Sequence, residues 1–171
     1  ELARKVMPAW WFLWLAIPLP LNLDRHLILM MQLLATKLAS GVLDLGGLRH
    51  AVSGVVIELP GKSYFVEEAC SGVQSLFAAI SVTIFYSLLG ERGLLRTVLL
   101  AVIGIGWVLA ANALRIIVVT VASSRYQIPL DVGWAHEATG AAVFVLALVM
   151  IVSTDRLLLF LAPLRVSSPF E

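Results

Sequence analysis

The chain of 171 residues is 60% hydrophobic and 13% charged, with a mean hydropathy of +0.96. That balance describes an integral membrane protein, whose principal solvent is lipid. A net charge of +1 with no Lys/Arg stripe or interleaved aromatic platform argues against nucleic acid as a partner, and a single cysteine excludes an intrachain disulfide.

The first apolar run, Met7–Leu23, is long enough to cross a bilayer, but Pro8, Pro18 and Pro20 punctuate it, and it is expected to kink or leave helix between Ala16 and Pro20. Trp10, Trp11 and Trp14 suit an interfacial belt. The second run, Leu27–Leu45, places apolar residues at Leu27, Met30, Met31, Leu34, Leu38, Val42 and Leu45 but is interrupted by Gln32, Lys37 and Asp44. It is expected to be an amphipathic helix lying on the membrane. Between Gly54 and Glu67 the residues become β-branched and aromatic around a Pro60-Gly61 turn signal, which predicts a small β-hairpin outside the lipid.

Three strongly apolar helices follow, expected over Cys70–Leu89, from Leu94 to about Ala122 and from His136 to about Phe160. The short connection at residues 90–93 makes the first two antiparallel neighbours. The expected class is an all-α polytopic membrane protein with about four transmembrane helices, one interfacial helix and a small extracytoplasmic hairpin, in a single membrane domain over residues 1–171. The chain opens on Glu1 rather than Met, so it reads as a fragment that can lack N-terminal spans or a fused domain.

Arg115 sits inside the most apolar stretch, where a guanidinium costs several kcal/mol and needs a partner or a task. Asn112 precedes it by one helical turn. At about 1.5 Å per residue, Cys70 lies roughly 29 Å from Leu89 and Arg115 roughly 32 Å from Leu94, against a hydrocarbon thickness of about 30 Å. Both therefore fall near the face opposite the 90–93 loop. His136 opens the last helix on that same face, while Asp155-Arg156 falls near the other. Cys70, Asn112, Arg115 and His136 are thus expected at one depth, from three helices. The positive-inside rule favours a cytoplasmic location for Arg92, Arg96, Arg156, Arg165, Arg4 and Lys5, and so an extracytoplasmic one for the cluster.

Such a set can support nucleophilic acyl transfer. A cysteine at a helix N-terminus gains thiolate character, and an imidazole can take its proton and return it to a leaving amine. Glu67 and Glu68 oppose thiolate formation, whereas Arg115 offsets them and can bind an oxyanion or a substrate carbonyl.

At these residues the chain resembles the exosortase and archaeosortase family. The resemblance is carried by Val66–Leu76 (VEEACSGVQSL), Ala111–Ile116 (ANALRI) and His136–Gly140 (HEATG), in that order on successive hydrophobic helices, and extends to Ile17–Leu23 (IPLPLNL) and Leu33–Gly47 (LLATKLASGVLDLGG). It implies a membrane cysteine endopeptidase or transpeptidase that cleaves a C-terminal sorting signal from exported proteins. That signal is a short motif such as Pro-Glu-Pro, a transmembrane helix and a basic tail, and the processed protein passes to an acceptor the sequence does not identify. By the same resemblance Cys70, Arg115 and His136 are the catalytic residues. No metal or organic cofactor is implied, and the expected location is the plasma membrane. The chain departs from the family at its N-terminus, where fuller members have more spans.

Each residue also has a plainer reading. A lone membrane cysteine is ordinarily a packing residue, His136 can be an interfacial ring satisfied by its loop, and Arg115 can snorkel to headgroups. Asn112 reads as a residue that orients Arg115 or bridges helices, and Glu137 as a favourable charge at a helix start. Gly72, Ser75 and Gly140 read as small residues that let helices approach, with Gly72 also able to admit substrate backbone. Gly104 and Gly106 lack the strand that a dinucleotide fingerprint requires. Thiol–disulfide exchange would need a second cysteine, and a metal or haem site more ligands than His26, His50 and His136 with one thiolate. The non-enzyme alternative is a transporter or binding protein for an anionic solute, using Arg115 and Asn112.

Overall fold

The computed structural model describes residues 23–66, 73–90 and 92–161. The first apolar run up to residue 22, and Glu67, Glu68, Cys70 and Gly72, lie outside the described residues. Helix α1 (Leu23–Leu45) leads into strands β1 (Ala51–Ser53), β2 (Val56–Leu59) and β3 (Lys62–Phe65), followed by α2 (Val73–Leu89), α3 (Leu94–Tyr126) and α4 (Gly133–Leu161). Among the described residues, three helices are long and apolar enough to cross a membrane: α1 from Arg25, α3 and α4.

Helix α3 is the axis of the bundle and packs against each of the other three. Its 33 residues run about 50 Å, well beyond the ~30 Å of hydrocarbon. If Leu94 marks one membrane surface, the last turns project past the other, and there the sheet docks. Ile57 and Val66 bury against Ala35, Ala39 and Leu43 of α1 and Ile116 of α3. Nearer the middle of the bundle, Met31, Leu76, Ala79, Val108, Ala111, Ala147 and Ile151 join all four helices in one apolar core.

The packing of α1 does not support the interfacial placement expected for Leu27–Leu45. Met31, Ala35, Ala39 and Leu43, spaced at i, i+4, form a buried stripe, and the small alanines let the helix approach closely. Of the polar interruptions, Lys37 and Asp44 stay exposed but Gln32 is buried. Its Nε2 donates to the Val66 carbonyl at 2.7 Å, and the Thr36 hydroxyl donates to the Gln32 carbonyl at 2.7 Å. A polar residue taken as evidence of a wet face is a tether to the sheet instead.

The predicted hairpin is present as β2 and β3, joined through Pro60-Gly61, with Gly61 at φ +87° as the second central position of a type II turn requires. A third strand, β1, adds antiparallel to β2 and makes the order β1-β2-β3. All three residues of β1 are exposed, so no alternation marked it in the sequence. Gly54, at φ +63°, opens the turn between β1 and β2.

Of the two glycines in the middle of α3, only Gly104 is in a tight place. A Cβ there would stand 3.2 Å from Ile151 Cδ1 and 3.8 Å from Thr83 Oγ1, whereas Gly106 has nothing within 4 Å. Gly104→Leu is therefore expected to destabilise the bundle by about 1–3 kcal/mol through overpacking. Gly106→Leu adds helix propensity without a clash and is expected to be neutral or stabilising. Unfolding of the two variants in detergent micelles, compared with the parent, checks the contrast.

At the end of the bundle away from the sheet, Asp155 of α4 is fully buried. Its carboxylate accepts from the Tyr86 hydroxyl at 2.8 Å, Arg92 Nη2 at 3.0 Å and Arg96 Nε at 2.7 Å. Arg96 Nη2 also donates to the Asp155 carbonyl at 2.7 Å. One side chain thereby ties α2, the 90–93 loop and α3 to α4.

Candidate active site

Helix α3 presents Val108, Ala111, Asn112, Arg115 and Ile116 on one buried face. Arg115 is 7% exposed and Asn112 5%, so the guanidinium is held inside protein rather than snorkelling along the surface. Its Nη2 donates to the His136 carbonyl of α4 at 2.9 Å. The same carbonyl accepts from the Thr139 hydroxyl at 2.9 Å.

Gly140 completes the seat. A Cβ at this position would stand 3.2 Å from Arg115 Nη2, 3.3 Å from Cζ and 3.4 Å from Nη1. Contact with three atoms of one guanidinium means that the planar group lies against the bare backbone of the His136–Gly140 turn. The sequence marked Gly140 as a small residue for helix packing; what packs there is the cation itself.

Arg115 borders two spaces of different character. Toward the bundle interior, a void of only about 10 Å³ is bounded by Ser75, Asn112, Arg115 and Gly140, room for no more than one water. A second cavity, of about 290 Å³, is lined by Arg115 and His136 together with Tyr64, Val66, Thr120 and Asp131. The guanidinium is thus anchored on the α4 backbone, and Arg115 also borders a cavity large enough to admit a ligand. Tyr64 is fixed by a hydrogen bond from its hydroxyl to Ser123 of α3, and Val66 by the Gln32 tether. The walls of the cavity are in this way tied to α1 and α3.

Of the residues singled out from the sequence, Arg115 and His136 share this cavity, and Asn112 shares the interior void with Arg115. Cys70, Glu67, Glu68 and Gly72 lie outside the described residues. Val66, a wall residue, precedes Cys70 by four positions. Glu137 is exposed. Tyr64, Thr120 and Asp131 escaped the sequence reading because each belongs to a segment that reads as ordinary strand, helix or loop. The docking of the sheet on α3 brings Tyr64 to the cavity, the connection between α3 and α4 brings Asp131, and Thr120 lies five residues beyond Arg115 on α3 itself.

Chemically, a guanidinium seated on backbone can stabilise negative charge developing on a carbonyl oxygen, or hold a carboxylate, with little reorganisation. An imidazole in the same cavity can accept and return a proton. The model of a family described as transmembrane exosortase matches residues 1–153. No curated protein and no solved structure matches the chain.

Proposed function

The chain belongs to the transmembrane exosortase family, and is thereby a multi-pass membrane protein of a protein-sorting class; from this membership and the seating of Arg115 we propose that it is a cysteine endopeptidase or transpeptidase. Its substrates on this reading are exported proteins with a C-terminal signal of short motif, transmembrane helix and basic tail. The observation that carries the reading is that Arg115, fixed to the His136 carbonyl at 2.9 Å, faces the same cavity as His136.

The proposed reaction begins with transfer of the Cys70 thiol proton to His136 and attack of the thiolate on the scissile carbonyl. Arg115 stabilises the oxyanion. The C–N bond then breaks, His136 returns the proton to the departing amine of the tail, and the upstream protein is left as a thioester on Cys70. An acceptor nucleophile attacks that thioester and regenerates the thiol. Asn112 supports Arg115, and Glu67 and Glu68, three and two residues before the nucleophile in the sequence, are supporting residues on this reading. On this reading the membrane is the plasma membrane, and the positive-inside bias favours its extracytoplasmic face for the site.

The test is co-expression with a secreted protein carrying such a signal, scored by intact mass. Loss of the tail only in cells that make this protein is the expected result; equal processing in cells without it, or in neither, overturns the proposal. The same assay reads the seat of Arg115. Gly140→Ala pushes the guanidinium by a few tenths of an ångström, and is expected to slow tail removal about tenfold at unchanged membrane levels.

A further inference from the structure

Strand β3 ends the β1-β2-β3 order, so β2 occupies one of its edges and, among the described residues, no strand occupies the other. The register fixes what that outer edge offers. Val66 N–H donates to the Val55 carbonyl at 2.9 Å, and the pairs inward of it are Val56–Phe65, Ile57–Tyr64, Glu58–Ser63 and Leu59–Lys62. Antiparallel pairs alternate between those that exchange bonds and those that do not. Val55–Val66, Ile57–Tyr64 and Leu59–Lys62 are therefore the bonded pairs, and Ser63 and Phe65 turn their N–H and C=O groups away from β2.

The 290 Å³ cavity runs along this same edge. Tyr64 and Val66 lie on the buried face of the sheet, whereas Ser63 is exposed beside Glu58 on the opposite face. All three of Ser63, Tyr64 and Val66 nonetheless line the cavity that holds Arg115 and His136. A space touched by residues from both faces of a strand borders its edge.

We propose that the segment of the protein substrate next to its scissile bond binds as an added antiparallel or parallel strand on the outer edge of β3. This deepens the sorting reading and rests on it. The occupant is an extended peptide because the edge offers backbone donors and acceptors at strand spacing, and because the cavity along it also holds Arg115 and His136. Main-chain bonds to Ser63 and Phe65 hold the peptide, and every second substrate side chain faces the cavity. The anchoring of β3 through Tyr64 and Val66 makes the edge a preformed template.

Cysteine crosslinking tests this. The chain has one cysteine, so Cys70→Ala with Ser63→Cys leaves a single thiol at the edge and no nucleophile to release the substrate. A signal-bearing substrate with a cysteine scanned through six or so successive positions before its hydrophobic helix is co-expressed, and disulfides are formed with copper phenanthroline. Strong crosslinks at alternate positions, about fivefold over those between, are expected from the two-residue repeat of a strand. Uniform crosslinking, a three-to-four-residue repeat, no crosslink, or a disulfide between two copies of this protein overturns the proposal. Ser63→Pro, which removes one outward N–H without touching the bonds to β2, is expected to reduce tail removal about tenfold, mainly through KM. Tail removal by the wild-type protein is run alongside. Its failure sinks the sorting reading and strand addition together, whereas tail removal without the alternating pattern sinks strand addition alone.

Discussion

Cys70→Ala is expected to reduce tail removal roughly 10³-fold or more, to the background of cells lacking the protein. The expectation follows from covalent catalysis: Arg115 and His136 can polarise a carbonyl and move a proton, but without a nucleophile no acyl-enzyme forms. The comparison is made at matched membrane levels, by intact mass of the substrate over a time course. Cys70→Ser keeps the volume of the side chain and most of its polarity, yet a hydroxyl is far harder to ionise than a thiol, so it should fall nearly as far. Two outcomes would contradict the assignment. Equal processing by Cys70→Ala would remove the nucleophile, and uptake of an anionic solute retained by Cys70→Ser but lost in Arg115→Ala would instead favour a carrier. A thioester is also directly visible: hydroxylamine should release the upstream protein from wild-type membranes and release nothing from Cys70→Ala.

The largest effect on stability is expected at the other end of the bundle. Asp155 is fully buried and balances Arg92 and Arg96, whose side chains are 16% and 11% exposed. Asp155→Ala takes from Arg92 and Arg96 the carboxylate they share, and from the Tyr86 hydroxyl its acceptor. Removing one member of a buried ion set costs about 3–5 kcal/mol, mostly from the charge left behind. Unfolding in mixed micelles should therefore shift strongly. Replacing the whole set, with Asp155→Leu, Arg92→Met and Arg96→Met together, should recover most of the loss, because no uncompensated charge remains. A shift of under about 1 kcal/mol for Asp155→Ala would mean that water, not Asp155, satisfies the two arginines.

These two sites differ in how visible they were beforehand. Arg115 announced itself as an ion in an apolar helix, and the Cys-containing, Asn-x-x-Arg and His-containing boxes gave it a family. Asp155 is the same kind of signal, but its place near a helix end beside Arg156 made it read as an interfacial charge. Its role depends on Tyr86 and Arg92 arriving from other segments. Helices α2, α3 and α4 and the Pro60-Gly61 turn were legible because each rests on local rules, whether apolar content, the loss of a backbone N–H at proline or the freedom of glycine at positive φ. Strand β1 was not, since three exposed residues carry no periodicity. Gln32 was read the wrong way round because a polar residue on a helix marks either a wet face or a buried tether. The sequence around it is the same in both cases.

By itself, then, the sequence determined that this is a membrane protein, where most of its helices run, and which family its motifs belong to. These properties follow from hydropathy and from short-range spacing, which are written along the chain. The tertiary structure alone decided that Arg115 rests on the bare backbone of the His136–Gly140 turn, that α1 belongs to the bundle, and that the sheet edge walls the cavity. Each of these is a contact between segments distant in sequence. Such contacts are settled by how side-chain volumes fit and by which buried polar groups can find partners, and no local pattern records either.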